Sequence, residues 1–392
     1  MNTAFIGLTT APDAHDRRRR GAGRPLIVLL RQIDRVVDRR ALGRALLVLA
    51  APIAAGFGTG DPLWIPAALV TASSFIAMEQ VGLAPLGVAL HGLAIAAGFL
   101  MLLTALPIPP LFAVTAAAMA AAATLLAAKG QRLRTPGNFV FIPSLYIACE
   151  LAENGHGSAL ARGFAFLPYL GLALGPVLVL AALELGLERR SPGSPAAHFV
   201  RLRRYKSDFG HAVPVGETIA AVAGAVAIAA LFVGWRHVPH AQWVIWSAAS
   251  VVTGDVAGAR RKLRDRAAGA LLGVPIGLVL ALAAPHELWV LRLAGLGGLL
   301  SLTVFRLYPV GFGVRCALVA FALSIAGELN GAAERVENVL VGGAIGLVLV
   351  VAAHESARLV SRLQTLDQFR QRINRAAEAE DAGERGTTGG GD

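Results

Sequence analysis

An all-α integral membrane protein, with about twelve transmembrane helices in two parallel six-helix repeats, is what this 392-residue sequence predicts. Three observations lead there. Hydrophobic residues make up 55% of the chain and charged residues 16%, against roughly a quarter charged in soluble domains. The apolar residues fall in runs of up to about 22, long enough to cross a bilayer core as helices. The basic residues sit between those runs, in alternate loops, as expected for loops that face the cytoplasm. The net charge of +11 is therefore a topology signal. No basic stretch is interleaved with the stacking aromatics that a single-strand binder needs, so no nucleic-acid partner is expected.

The elements follow in order. Residues 1–40 form a cytoplasmic N-terminal segment with no secretory signal. Within it, residues 25–40 place Leu26, Leu29, Leu30, Ile33 and Val37 on one helical face, the pattern of a helix lying in the membrane interface. A solvated leader into the first span is the alternative. Repeat 1 covers residues 41–186, with apolar segments at 41–57, 63–78, 83–104, 111–128, 138–151 and 163–186. The fifth is short and contains Pro143, which suggests a broken or tilted helix. Residues 187–214 form a polar cytoplasmic linker. Repeat 2 covers 215–354, with segments at 215–233, 241–253, 267–284, 288–304, 308–327 and 336–353. Residues 355–392 form a charged cytoplasmic tail ending in GTTGGGD, which reads as disorder. Leu359, Leu363, Leu366 and Ile373 in that tail are roughly heptad-spaced, enough for a short contact between protomers or for docking against the loops.

Loop charge sets the orientation. Ten Arg precede or open the first span, and the linker and the tail hold six basic residues each. Both termini are therefore expected in the cytoplasm. All five Trp (64, 235, 243, 246 and 289) fall at outer segment ends in this arrangement, where an aromatic belt forms. Internal matches support a duplication. Trp64 corresponds to Trp243, CELAEN at 149–154 to GELNGA at 327–332, and Gly171 and Gly175 to Gly342 and Gly346. Six spans per half make the repeats parallel.

The most specific local signal is RRKLRDRAAGALLGVPIG at 260–277, a basic cluster running into Gly269, Gly273 and Gly277. Glycines four apart make a groove into which another helix backbone can fit. The paired glycines at 171/175 and 342/346 are expected to pack likewise. No phosphate-cradling motif ends in GKS or GKT. Cys149 and Cys316, the two cysteines, lie in apolar segments without metal-ligand spacing. No cofactor and no metal are expected, and no catalytic constellation appears, so an enzyme is the least favoured class.

RDRAAGALLGVPIG at 264–277 resembles the Arg-rich, Gly-spaced motif of the fusaric-acid-resistance (FUSC) and aromatic acid exporter family. Ala270 stands where that family commonly has Thr. The resemblance extends over about 215–355, and plant aluminium-activated malate channels resemble it more distantly. It implies six-helix membrane units and export of organic acids, often aromatic carboxylates. The linker at 187–214 holds no counterpart of the large cytoplasmic domain that many members carry between halves. With no nucleotide motif, proton-driven efflux across the inner membrane is the leading expectation. A passive anion channel of the same fold and a non-transporting assembly factor are the alternatives. The expected partners are the lipid bilayer, a small organic anion, and a second copy of the chain or a periplasmic adaptor protein.

Ionisable residues inside spans are costly and so become site candidates. Arg315, in the eleventh segment, suits a carboxylate through its planar fork. Its bland alternative is snorkelling to the interface. His91, in the third segment, suits a proton relay or simple packing. Glu150 and Glu328, pseudo-equivalent at outer ends, are proton-coupling candidates. Their structural alternative is an ion pair in each outer loop, with Arg162 and Arg335.

Overall fold

The computed structural model describes residues 35–153, 158–187, 202–203 and 215–387. Residues 25–34 of the expected interfacial helix at 25–40, most of the 187–214 linker and the last residues of the tail lie outside that range. Among the described residues, twelve α-helices run in order: α1 Arg39–Thr59, α2 Trp64–Val81, α3 Pro85–Ala105, α4 Pro109–Leu125, α5 Arg134–Glu153, α6 Ala159–Leu187, α7 Gly216–Arg236, α8 Ala241–Val251, α9 Val256–Leu282, α10 Leu288–Leu300, α11 Tyr308–Ile325 and α12 Leu329–Thr387. Each expected apolar segment is one helix, and no strand occurs among the described residues.

The helix ends follow from local chemistry. Asp38 caps α1, accepting from the backbone N–H groups of Arg40 and Ala41 at 3.1 and 3.0 Å. Asp255 caps α9, accepting from the Gly258 N–H at 2.6 Å. Such caps satisfy donors that the first turn leaves open. Proline opens α3, α4 and α11, where its missing N–H costs nothing. Gly60 and Gly82 close α1 and α2 in the left-handed conformation.

Among the described residues, eight helices are long and apolar enough to cross a bilayer: α1, α3, α4 with its extension to Lys129, α6, α7, α9, α11 and α12 as far as Phe369. The other four depart from the expectation of twelve full spans for two physical reasons. α2 and α5 carry polar side chains such as Ser73, Ser74, Glu79, Arg134, Asn138 and Ser144. α8 and α10 have only 11 and 13 residues, about 16 and 20 Å of helix. α5 is one continuous helix across Pro143, so the break expected there falls instead after α8. The chain leaves α8 at Val252 in extended geometry, and the guanidinium of Arg134 donates to the carbonyls of Val252 and Thr253. Those donors satisfy backbone carbonyls that the end of a helix leaves without intrahelical partners. At the other limit, α12 runs on without a break from the apolar segment into the charged tail.

Several helix pairings of the first six helices recur among the last six. α1 packs on α2 as α7 does on α8, α2 on α6 as α8 on α12, α3 on α5 as α9 on α11, α3 on α6 as α9 on α12, and α4 on α5 as α10 on α11. The hydroxyl of Thr71 donates from α2 to the Ala173 carbonyl of α6 at 2.6 Å. Ser247 donates from α8 to the Val339 carbonyl of α12 at 2.9 Å. Between halves, α4 packs along α7, and α10 reaches α1 and α2. Ala113, Ala116 and Ala120 of α4 and Ala221, Ala225 and Ala229 of α7 are all buried in one cluster. Small side chains there let the two backbones approach.

The glycines divide sharply. A Cβ on Gly269 would lie 2.8 Å from Phe312 Cδ1, one on Gly273 2.3 Å from the Gly313 carbonyl oxygen, and one on Gly277 2.1 Å from that of Ala317, all on α11. Gly342 and Gly346 press on α8, where a Cβ would come within 2.1 Å of the Val244 oxygen and 2.5 Å of the Ala248 oxygen. Gly171 and Gly175 correct the expectation of a packing face: a Cβ on either meets nothing within 4 Å. The buried stripe of α6 runs through Phe166, Leu170, Ala173, Val177 and Ala181, and the two glycines lie off it.

The loops gather at two ends. At the basic end, Arg306 donates its N–H to the Val36 carbonyl at 2.9 Å, and Ala84 donates to that of Leu202 at 3.0 Å. Lys129, Arg132, Arg134 and the 260–266 cluster share that end. At the opposite end lie Asp61, Glu153, Glu328 and Glu334.

Candidate functional site

A cavity of about 330 Å3 lies between the halves, walled by α2, α5, α8, α10, α11 and the start of α12. Its side chains come from regular helical spacing. Phe139, Ile142, Tyr146, Glu150 and Glu153 form one face of α5, and Gln242, Trp243 and Trp246 one face of α8. Arg315, Leu318, Val319, Ala322 and Leu323 do the same on α11. Ala294, Gly295 and Gly298 of α10 keep one wall thin and apolar. His240 and Glu328 line both this cavity and an open vestibule at the acidic end, shared with Asn330 and Glu334.

The cavity brings together three of the four site residues expected from sequence: Arg315, Glu150 and Glu328. Arg315 donates from Nε to Ser301 Oγ at 3.0 Å and from Nη2 to the Ser301 carbonyl at 3.2 Å. Its guanidinium lies 5.7 Å from the Trp246 ring. Tyr146 hydrogen-bonds Glu150. His91 is elsewhere. It is buried among α2, α3 and α5, with Nδ1 3.3 Å from Ser74 Oγ and Nε2 3.3 Å from the Pro136 carbonyl.

Sequence reasoning missed several wall residues. Among the described residues, Glu328 and Arg335 form no ion pair with each other. Arg335 turns inward instead, its guanidinium carbon 4.5 Å from the Trp243 ring. Trp243 and Trp246 line the cavity, not the lipid interface, because α8 is short and packed centrally. Trp235 and Trp289 are the exposed ones. The signals for the missed residues were present: Arg335 stands immediately before the apolar segment 336–353, and Gln242 is the polar residue at the start of 241–253. What the sequence could not show is that both face one space.

Two further positively charged groups continue from the cavity toward the basic end. Arg266, in the basic motif, is buried and donates to Ser247 Oγ at 3.2 and 2.9 Å and to the Tyr308 hydroxyl at 3.1 Å. Lys262, one turn earlier, lies 4.8 Å from the Tyr308 ring. The partners of Arg266 and Arg315 are thus hydroxyls, a carbonyl and aromatic faces. The ion pairs formed among the described residues are elsewhere, as with Arg44 between Glu79 and Glu184.

The outer mouth carries two titratable groups that their surroundings shift, Glu153 and His240. Glu153 ends α5 beyond the apolar stretch 138–151. Burial, then the neighbouring carboxylates of Glu150 and Glu328, push its pKa up to about 7. His240, in the turn before α8, is held below its ordinary value by burial, against the pull of Glu334 and Glu328. Its Nδ1 lies 3.9 Å from Glu153 Oε2, and its ring stacks on Trp243 at 4.3 Å.

Residues 226–349 match the family model described as fusaric acid resistance protein-like. No curated protein and no solved structure matches the chain. The matched segment runs from within α7 to within α12 and so includes the glycine face of α9 and the α8 and α11 walls of the cavity. Through that segment, which is less than half of the chain, the protein is similar to the fusaric acid resistance protein-like family.

Proposed function

We propose that this protein is an inner-membrane transporter that exports organic carboxylates, aromatic ones among them, at the expense of the proton gradient. The observation that carries the reading is the cavity wall. Arg315 and Arg335 face it together with Trp243, Trp246 and Tyr146, and no carboxylate ion-pairs with either guanidinium among the described residues. A charged group in a low-dielectric interior needs a counter-charge or water. An anion that enters the cavity supplies it, and guanidinium suits a carboxylate because its donors match both oxygens. A volume of about 330 Å3 falls in the range of small-molecule sites.

The twelve helices form two parallel repeats about an axis along the membrane normal, with the cavity between them. The recurring helix pairings and the two inter-helix hydroxyl bonds support that arrangement. The basic end is cytoplasmic by the positive-inside rule, so the acidic vestibule faces outward. Reporters fused after residue 190 or 355 are expected inside, and one near residue 156 outside. An outside signal at 190 would give the halves opposite orientations and overturn the arrangement. For function, the purified chain in proteoliposomes is expected to accumulate benzoate against its gradient when a pH gradient is imposed. Flux that only equilibrates benzoate, whatever the pH gradient, points instead to a passive channel.

Coupling is assigned to the carboxyls at the mouth, Glu150 and Glu328 as expected from sequence, with Glu153 between them. Glu153 ionises as pH rises through about 7. That places negative charge where an anion passes, beside Glu150, Glu328 and Glu334 and opposed by Arg335. Benzoate, ionised throughout this window, is therefore expected to bind several-fold more tightly at pH 6 than at pH 8. Glu153→Gln is expected to flatten that dependence. A wild-type affinity that does not change with pH removes Glu153 from the path.

A further inference from the structure

We infer that Gln242 and Arg335, beside Trp243, form the head-group end of the cavity, and that the ligand they fit is a flat carboxylic acid with a hydrogen-bond donor next to its carboxylate. The inference rests on the reading of the cavity as an organic-anion site.

Gln242 and Arg335 are both 2% exposed and both line the cavity. Neither the amide nitrogen nor the amide oxygen of Gln242 has a partner among the described residues, and Arg335 Nε has none either. Buried polar atoms are rarely left this way, and each instance calls for an explanation. The other buried polar groups of the wall are engaged: Arg315 by Ser301 and Tyr146 by Glu150. The orphan atoms of this wall therefore gather at one end, on α8 and α12.

Their chemistry is specific. Arg335 Nε and the amide nitrogen of Gln242 are donors, and the amide oxygen is an acceptor. A carboxylate satisfies the donors. A ligand N–H or O–H next to the carboxylate satisfies the acceptor. Trp243, already under the Arg335 guanidinium, holds the side chain on which the donor fork depends. Arg315, with two donors committed to Ser301, serves passage more than grip.

Pyrrole-2-carboxylate and furan-2-carboxylate test this. Both are flat, and they differ in having a ring N–H or a ring oxygen beside the carboxylate. The full chain in detergent is titrated calorimetrically with each. The wild type is expected to bind the pyrrole acid about tenfold more tightly, because a site built for a donor rejects the analogue that lacks it. Gln242→Met keeps the length and removes both polar atoms, so the two affinities should converge. Arg335→Gln should weaken both acids about tenfold or more. Where that variant does not fold, Arg335→Lys replaces it and should weaken both several-fold, since it keeps charge but loses the fork. Equal affinities in the wild type, or a pyrrole preference that survives Gln242→Met, overturn the inference while the anion site stands. A wild type that binds neither of these acids, nor benzoate, overturns both.

Discussion

Gly273→Leu will unseat α9 from α11 and abolish transport, the largest structural effect of any single substitution considered. A Cβ at residue 273 would lie 2.3 Å from the Gly313 oxygen and 3.1 Å from both Ala317 N and Cys316 Cβ. Two of these are backbone atoms and cannot swing aside. Overpacking in a core costs about 1–3 kcal/mol, and a backbone obstacle puts this site at or above the top of that range. α11 also carries Arg315 and one wall of the cavity, so its displacement opens the site as well as the packing. Gly171→Leu is the control within the same chain, because a Cβ there meets nothing within 4 Å. Melting temperatures in detergent should fall by several degrees for Gly273→Leu and stay unchanged for Gly171→Leu. Equal melting temperatures for the two variants would mean that the close approach of α9 to α11 does not exist.

Arg315→Gln will reduce transport about ten- to a hundredfold, the value of a charge-assisted hydrogen bond, with little loss of stability. The partner that Arg315 leaves behind is Ser301, whose hydroxyl already donates to the Gly298 carbonyl at 2.6 Å. Removing the guanidinium therefore strands no buried charge, unlike removal of one partner from an ion pair. Arg315→Lys should rescue in part: an ammonium keeps the charge at the wall but not the planar fork. Benzoate flux in proteoliposomes, with the melting temperature of each variant, separates the outcomes. Full flux in the Gln variant removes Arg315 from the path. A large fall in melting temperature makes Arg315 structural. If Arg335 and Gln242 hold the head group, benzoate affinity should change less than flux in Arg315→Gln, because Arg315 then acts on the moving anion.

The sequence by itself determined the twelve apolar helices seen among the described residues, and their order. Each of these depends on neighbours along the chain: the length of an apolar run, an Asp or Pro at its start, a Gly at its end. The glycine series at 269, 273 and 277 was legible for the same reason, since a spacing of four keeps residues on one helical face. So was the candidacy of Arg315, a charge in an apolar run. Tertiary structure alone decided what each face meets. Gly342 and Gly346 touch a backbone while Gly171 and Gly175 touch nothing within 4 Å, although their spacing is identical. Trp243 lines the cavity and Trp289 is exposed, although both follow a loop at the same end. His91 is absorbed into packing by Ser74 and Pro136, residues of two other helices. The cavity itself is built from six helices of both halves, and its unpartnered atoms at Gln242 and Arg335 belong to helices nearly a hundred residues apart. Helical periodicity says which residues share a face. Only the packing of the other helices, through side chains distant in sequence, says whether that face looks at lipid, at a backbone or into the cavity.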